Sequence, residues 1–315
     1  MKLTSRQKEL EITDDAFGEL RESRAILEDS SALRQRMADE GYLFFRGALN
    51  RDAVTEARRE CVHRLATAGL LEPGTDLMEA IPRRTPDGNL SLYFRAELAE
   101  GNTPLLNVLY DGPMMEIFTR LLDGPVLHYD FTWMRAVSPG GGTAPHCDKV
   151  YMGRGTPKLF TAWTPLGDIP LSVGGLILLE GSHQRQDLTG AYLAQDVDSY
   201  CENGPAANAV KTGKIQWEHP ETHEAWDGAF SHDPTALRRQ FGGRWLTTDY
   251  RMGDLLIFSM ATMHASLDNQ GNTIRLSSDT RYQRADEPVD ARWMNDADGN
   301  KPIAHGLAAK RGRIC

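Results

Sequence analysis

The tripeptide His146-Cys147-Asp148 is the first place where residue types and spacing suggest chemistry. Alternate side chains of an extended chain share a face, so His146 and Asp148 would point one way and Cys147 the other. An imidazole and a carboxylate side by side make two corners of a metal site. His264 offers a third: the turn at Gly253-Asp254 and the apolar run Leu255-Leu256-Ile257-Phe258 lead to it. Two histidines and one carboxylate form the facial triad of non-haem Fe(II) oxygenases, which leaves positions open for co-substrate and O2. A zinc hydrolase would accept the same donors plus a water.

A second feature follows in Thr273–Tyr282. Alternation puts Ile274 and Leu276 on one face and Arg275, Ser277, Asp279 and Arg281 on the other. Arg275 follows His264 closely enough to return to the same cavity. A guanidinium grips a carboxylate through two parallel hydrogen bonds. Ser266 shares the face of His264 if that strand continues, and adds a hydroxyl. A zinc hydrolase gives no reason for either Arg275 or Ser266.

Positioning these groups requires a β core. Residues 16–40 (Phe17, Leu20, Ile26, Leu27, Leu33, Met37) read as a helix stopped by Gly41, and 42–45 as an aromatic strand. Residues 51–68 and 112–123 read as amphipathic helices, and 72–104 as loop with a short strand near 92–94. After Gly124, apolar and β-branched runs at 126–137, 146–151, 158–166, 175–180, 254–260 and 273–284 have the spacing of an all-β barrel or sandwich. Helices first and strands later suggest helices packed on one outer face of that core. On 129–137, Trp133 and Arg135 share a face and Thr132 and Met134 the other; alternation does not say which looks inward. Residues 185–250 carry Tyr192, Tyr200, Trp217, Trp226 and Trp245 without a steady period and read as a lid or substrate-facing insertion. Those tryptophans either wall a pocket or form the insertion's own core. His219 and His223, with His232 nearby, have helical ligand spacing, but Pro220 and the acidic context favour a solvated loop.

Composition narrows the class. The 315 residues carry a formal charge of −9, which argues against a general nucleic-acid binder. No apolar run is long enough to span a membrane, and the charged start lacks the apolar core of a secretory signal. The basic stretch Lys310–Arg313 reads as a solubilising end. Four scattered cysteines without a CxxC pair fit a reducing compartment, so the expected location is the cytoplasm.

Taken in order, His146-x-Asp148, Gly174-Gly175-Leu176-Ile177-Leu178-Leu179-Glu180-Gly181-Ser182-His183, Gly253-Asp254 and His264-x-Ser266-x-x-Asn269 with Arg275 resemble the phytanoyl-CoA dioxygenase (PhyH-like) family, over about residues 40–284. The resemblance implies a single domain over 1–315, mainly β with flanking helices, on a double-stranded β-helix (jelly-roll, cupin-like) core. A mainly helical part would span 1–124 and the core 125–284, with the insertion at 185–250 and a tail at 285–315. It places His146, Asp148 and His264 as ligands of Fe(II), Arg275 on the distal carboxylate of 2-oxoglutarate, Ser266 as its helper and Trp163 beside the co-substrate. Trp163 also reads as a core residue of a barrel strand, and His183 as structural. The implied reaction consumes 2-oxoglutarate and O2, releases succinate and CO2, and oxidises a C–H bond of a small metabolite or natural-product intermediate. Asp148 separates the chain from related halogenases, which lack this carboxylate and so have room for a halide. A non-catalytic jelly-roll binding protein would be expected to lose a ligand, and none is missing.

Overall fold

The computed structural model describes residues 2–86, 88–197 and 228–299. The chain opens with a small hairpin, β1 (Thr4–Ser5) and β2 (Lys8–Glu9), then β3 (Phe17–Glu19), α1 (Ser30–Glu40), β4 (Tyr42–Phe45) and α2 (Arg51–Thr67). A second small hairpin, β5 (Arg84–Thr85) and β6 (Gly88–Asn89), precedes α3 (Thr103–Tyr110) and α4 (Gly112–Leu122). Then come β7 (Val126–His128), β8 (Trp133–Val137), the one-turn α5 (Lys149–Met152), β9 (Phe160–Pro165), β10 (Leu176–Leu179) and α6 (Gln186–Leu193). After 227, α7 (Pro234–Phe241), β11 (Trp245–Thr247), β12 (Leu255–Ser259), β13 (His264–Ser266) and β14 (Arg275–Arg284) complete the fold.

The strands form two facing sheets. The larger runs β4-β12-β9-β14-β7, with β8 also paired to β14, and the smaller runs β13-β10-β11-β3. Every pairing is antiparallel except β11 with β3. This is the expected jelly-roll core, mainly β with flanking helices, although helices cover both sheets rather than one outer face. Alternation sorts the side chains of the larger sheet. Leu43, Phe45, Met134, Ala136, Ala162, Ile257, Leu276 and Tyr282 pack outward against buried faces of α1 to α4. Tyr42, Phe44, Trp163, Leu256 and Phe258 face inward and meet Leu176, Leu178 and Leu246 of the smaller sheet. The outer face of the smaller sheet, with Ile177, Leu179, Trp245 and Ala265, is covered by α6, α7 and the N-terminal hairpin.

Caps and turns explain the boundaries. Asp29 caps α1 by accepting from the Ala32 amide at 2.9 Å, and Gly41 ends it in the left-handed region at φ 77°. Asn50 caps α2 through the Ala53 amide at 3.0 Å. Gly253-Asp254 is a staple: buried Asp254 accepts from the Gly47 and Arg251 amides and from Arg46, fixing where β4 leaves the sheet.

Four expectations need correction. The helix expected over 16–40 occupies only its second half, because Phe17–Glu19 is drawn into the smaller sheet beside β11. Residues 146–151 are not a strand: His146 makes one bridge, and Asp148 already has helical φ and ψ at the start of α5. The segment 185–250 is not all insertion. Trp245 pairs with Leu179 as part of the core, and its indole donates to the Pro234 carbonyl. Residues 285–315 are not merely a tail either, since a short turn at Ala291–Trp293 seats Trp293 fully buried beside β8. The helix α3 was unforeseen inside a segment read as loop. His219, His223, Tyr200, Trp217, Trp226 and the Lys310–Arg313 stretch lie outside the described residues. Among those described, no helix is long and apolar enough to cross a membrane.

Candidate metal centre

His146 and His264 meet through the backbone. Each donates its amide to the other's carbonyl at 2.9 Å, so a two-bond bridge joins the loop before α5 to β13. The loop is tied further along, where the Thr143 amide donates to Ser266 Oγ at 2.8 Å and the Asn269 amide to the Gly141 carbonyl at 2.9 Å. Asn269 also donates to the Val137 and Thr273 carbonyls and so shapes the turn into β14. Ser182 Oγ accepts from the Met263 amide, fixing the start of β13. His183 instead contacts the Ala38 carbonyl beside α1, away from the cluster.

The two rings are oriented alike. Nδ1 of His146 lies 2.8 Å from the Ala144 carbonyl and Nδ1 of His264 lies 3.0 Å from that of Thr262. A carbonyl can only accept, so each Nδ1 carries the proton and each Nε2 presents a lone pair. Both Nε2 atoms stand 3.7 Å from Asp148 Oδ1. The other oxygen, Oδ2, is engaged: the Thr161 hydroxyl donates to it, and Arg281 does so at 3.0 Å. Cys147 points the opposite way, its thiol donating to the Ala261 carbonyl.

These three side chains are the one His/Cys/Asp/Glu group among the described residues with metal-holding geometry, their donor atoms all within 4.8 Å of one another. Two donors bonded to one ion at about 2.1 Å lie at most about 4.2 Å apart, a limit that both Nε2–Oδ1 separations meet. Electrostatics match. Burial, then the neighbouring His264, push His146 down to about 3, and burial lowers His264 as well, so both rings stay neutral at physiological pH. Burial alone would raise the Asp148 pKa; Arg281 and the two imidazoles outweigh it and hold the carboxylate below its ordinary range.

Arg275 is the other unusual group on the inward face of β14. Its side chain is 1 % exposed; NH1 donates to the Gly174 carbonyl, while Nε and NH2 have no acceptor. No carboxylate of the described residues pairs with it, whereas the neighbouring interior arginines are matched, Arg135 with Asp279 at 2.6 Å and Arg281 with Asp148. A buried cation with two orphaned donors is costly unless an anion joins it. The site therefore fits a carboxylate at Arg275 and a divalent ion at the triad. Trp163 Nε1 and Ser277 Oγ, on the same inward face, also lack partners. Ser266 Oγ accepts from the Thr143 amide, which leaves its hydroxyl proton to donate.

The sheet register settles the face left open on 129–137. Trp133 opposes Asp279 and Arg135 opposes Ser277, so both look into the barrel. Two contacts around the cluster were missed by sequence reasoning. Arg281 was placed on the face of Arg275 but not joined to Asp148, and the Arg135–Asp279 pair was not foreseen. Alternation along β14 carried the signal, but only the cross-strand partners show where it leads.

A sequence profile of the phytanoyl-CoA dioxygenase (PhyH) family matches residues 37–277. The chain belongs to that family. It is a non-haem iron, 2-oxoglutarate-dependent dioxygenase. Among curated relatives, a 1-deoxypentalenic acid 11-beta-hydroxylase of Streptomyces exfoliatus is 25 % identical over 285 residues, covering 86 % of this chain and 87 % of the relative. Its counterpart from Streptomyces arenae is 24 % identical over the same shares. Among solved structures, the epimerase SnoN in complex with Fe3+, alpha ketoglutarate and nogalamycin RO aligns at TM-score 0.56 with 19 % identity, over 89 % of this chain and 94 % of SnoN. EctD from S. alaskensis aligns at 0.55 with 14 % identity, over 99 % and 97 %. These likenesses show the fold.

Proposed function

We propose that this dioxygenase hydroxylates a C–H bond of a small, largely apolar metabolite or natural-product intermediate, with His146, Asp148 and His264 holding Fe(II) and Arg275 holding the distal carboxylate of 2-oxoglutarate. The observation that carries the reading is Arg275, a buried cation with two unmatched donors inside the same barrel as the triad. Zinc hydrolysis gives it no task.

Bound Fe(II) would supply the oxidation, coupling conversion of 2-oxoglutarate and O2 to succinate and CO2 with insertion of oxygen into the substrate. The chain's residues do the rest. Nδ1 protons held on the Ala144 and Thr262 carbonyls keep both Nε2 lone pairs available. Arg275 fixes one end of the co-substrate by a two-pronged grip. Trp163, Leu256 and Phe258 line the inward face and exclude water. Trp163 lies beside Tyr250 and serves as wall and co-substrate neighbour at once.

The aromatic cluster beside the triad supports this substrate class. Trp133 lies 4.6 Å from both Phe131 and Trp293, with partly exposed Phe94 stacked on Phe131. Arg281 lies over the Trp133 ring and reaches Asp148, so this wall is one side chain from the metal ligands. Aromatic walls suit rigid hydrocarbon scaffolds, and the two Streptomyces relatives are named for hydroxylating one acid, 1-deoxypentalenic acid. Cys61 and Cys147, buried and unpaired, support a cytoplasmic setting.

The test is succinate formation on adding Fe(II), ascorbate and 2-oxoglutarate, followed by a screen of polycyclic and acidic hydrophobic compounds for stimulated turnover and a product heavier by one oxygen. Iron- and 2-oxoglutarate-dependent succinate is expected. Its absence with every compound, in protein shown to bind Fe(II), would overturn the proposal.

A further inference from the structure

Asp148 is the one triad member with two potential ligand atoms, and the chain treats them differently. Oδ1 faces both imidazoles, while Oδ2 takes two hydrogen bonds from cross-strand partners: Thr161 of β9 and Arg281 of β14 stand directly opposite each other in the sheet. Arg281 is itself immobilised. Its guanidinium lies 4.4 Å over the Trp133 ring, its Nε is 3.1 Å from Met152 Sδ, and it is 2 % exposed. It therefore has contacts from β8, α5 and the triad at once, more than an ion pair requires.

We propose that Arg281, with Thr161, is the positioning residue of the metal centre: it occupies Asp148 Oδ2 so that the carboxylate offers the metal Oδ1 alone, leaving the neighbouring coordination positions for co-substrate and O2. Without it Asp148 is free to rotate and present both oxygens, which fills a position the reaction needs. Because Arg281 also lies on Trp133, the aromatic wall and the ligand geometry are set by one side chain. This inference rests on the reading of His146, Asp148 and His264 as metal ligands.

The test uses Co(II) alone as probe, titrated into the metal-free full-length protein, reading affinity and the visible d–d spectrum. Partners of metal ligands typically contribute 10- to 100-fold in affinity. Arg281→Met and Thr161→Val are each expected to weaken Co(II) binding by about 10-fold or more and to change the spectrum, at temperatures where circular dichroism matches the parent. Arg281→Lys, which keeps the charge, is expected to bind more tightly than Arg281→Met. A merely structural pair would lower the melting temperature and leave the spectrum alone. Parent-like affinity and spectrum in either folded variant would overturn the proposal, as would equal binding by Arg281→Lys and Arg281→Met. If Arg281→Met does not fold, Thr161→Val decides. A parent that binds no Co(II) at all refutes the ligand assignment itself, and this inference falls with it.

Discussion

Replacing Arg275 with methionine separates the free protein from the co-substrate complex. Without 2-oxoglutarate the guanidinium is a buried, unmatched cation that burial pulls down to about 10. Its removal costs the free protein one hydrogen bond, to the Gly174 carbonyl, or about 1 kcal/mol, and relieves the desolvation of Nε and NH2. With 2-oxoglutarate bound, the variant loses two charge-assisted bonds of about 1.5–3 kcal/mol each. At about 1.4 kcal/mol per decade, this raises the 2-oxoglutarate requirement by roughly 10²- to 10⁴-fold. The assay is thermal unfolding of the anaerobic Fe(II) protein with and without 2-oxoglutarate, beside a succinate titration. At 100 times its dissociation constant the ligand stabilises the parent by about 2.7 kcal/mol; the variant at that concentration gains less than about 0.5 kcal/mol. The metal-free melting temperatures should stay close. A 2-oxoglutarate requirement within twofold of the parent's would refute the reasoning and remove Arg275 from the site.

Further outcomes follow from the same geometry. His146→Ala and Asp148→Ala should each abolish iron-dependent succinate formation, and near-parent activity in both would mean the ligands are misassigned. Asp148→Gly should open a coordination position, visible as a changed absorption spectrum of the Fe(II) or Co(II) protein; an unchanged spectrum contradicts a ligand role. Gly174 sits at φ +83°, and a Cβ there would come within 2.5 Å of the Leu267 carbonyl oxygen. Gly174→Ala should therefore cost about 1–2 kcal/mol in urea unfolding and weaken 2-oxoglutarate binding, since the Gly174 carbonyl holds Arg275. Acid should destabilise the metal-free protein. His146 titrates near 3 when folded and near 6.5 when unfolded, so between those values the unfolded chain binds more protons and stability falls as pH falls. Asp148 adds nothing over most of that window, because its folded pKa is lowered and its contribution persists above the ordinary carboxylate value. His146→Asn should flatten this acid dependence in pH-dependent unfolding; an unaltered slope would show that His146 is not buried neutral.

The triad was legible because its chemistry is carried by residue type and local spacing: His146-x-Asp148 declares a shared side, and the apolar strand before His264 declares a buried address. The strands 42–45, 160–165 and 255–259 were legible as short apolar or β-branched runs between turn residues, and 275–284 by the alternation of Ile274 and Leu276 with Arg275, Ser277, Asp279 and Arg281. What alternation cannot supply is the partner. Arg281 and Arg275 shared a face in the sequence, yet only the register with Thr161 and Trp133 sends Arg281 to Asp148 and Arg135 to Asp279. Phe17 and Trp245 were misplaced for the same reason. Each is made a strand by pairing with residues more than sixty positions away, which outweighs local periodicity. Asp148 was placed on a continuing strand, whereas it opens a helical turn; its face was right because His146 alone sets the direction at the bridge.

The most direct measurement is a crystal structure grown anaerobically with Fe(II) and 2-oxoglutarate, with anomalous scattering recorded at the iron edge. The account predicts a single iron peak bonded to Nε2 of His146, Nε2 of His264 and one oxygen of Asp148, and a dicarboxylate whose far end rests on Arg275. An iron peak elsewhere, or a co-substrate that leaves Arg275 without a partner, would contradict it.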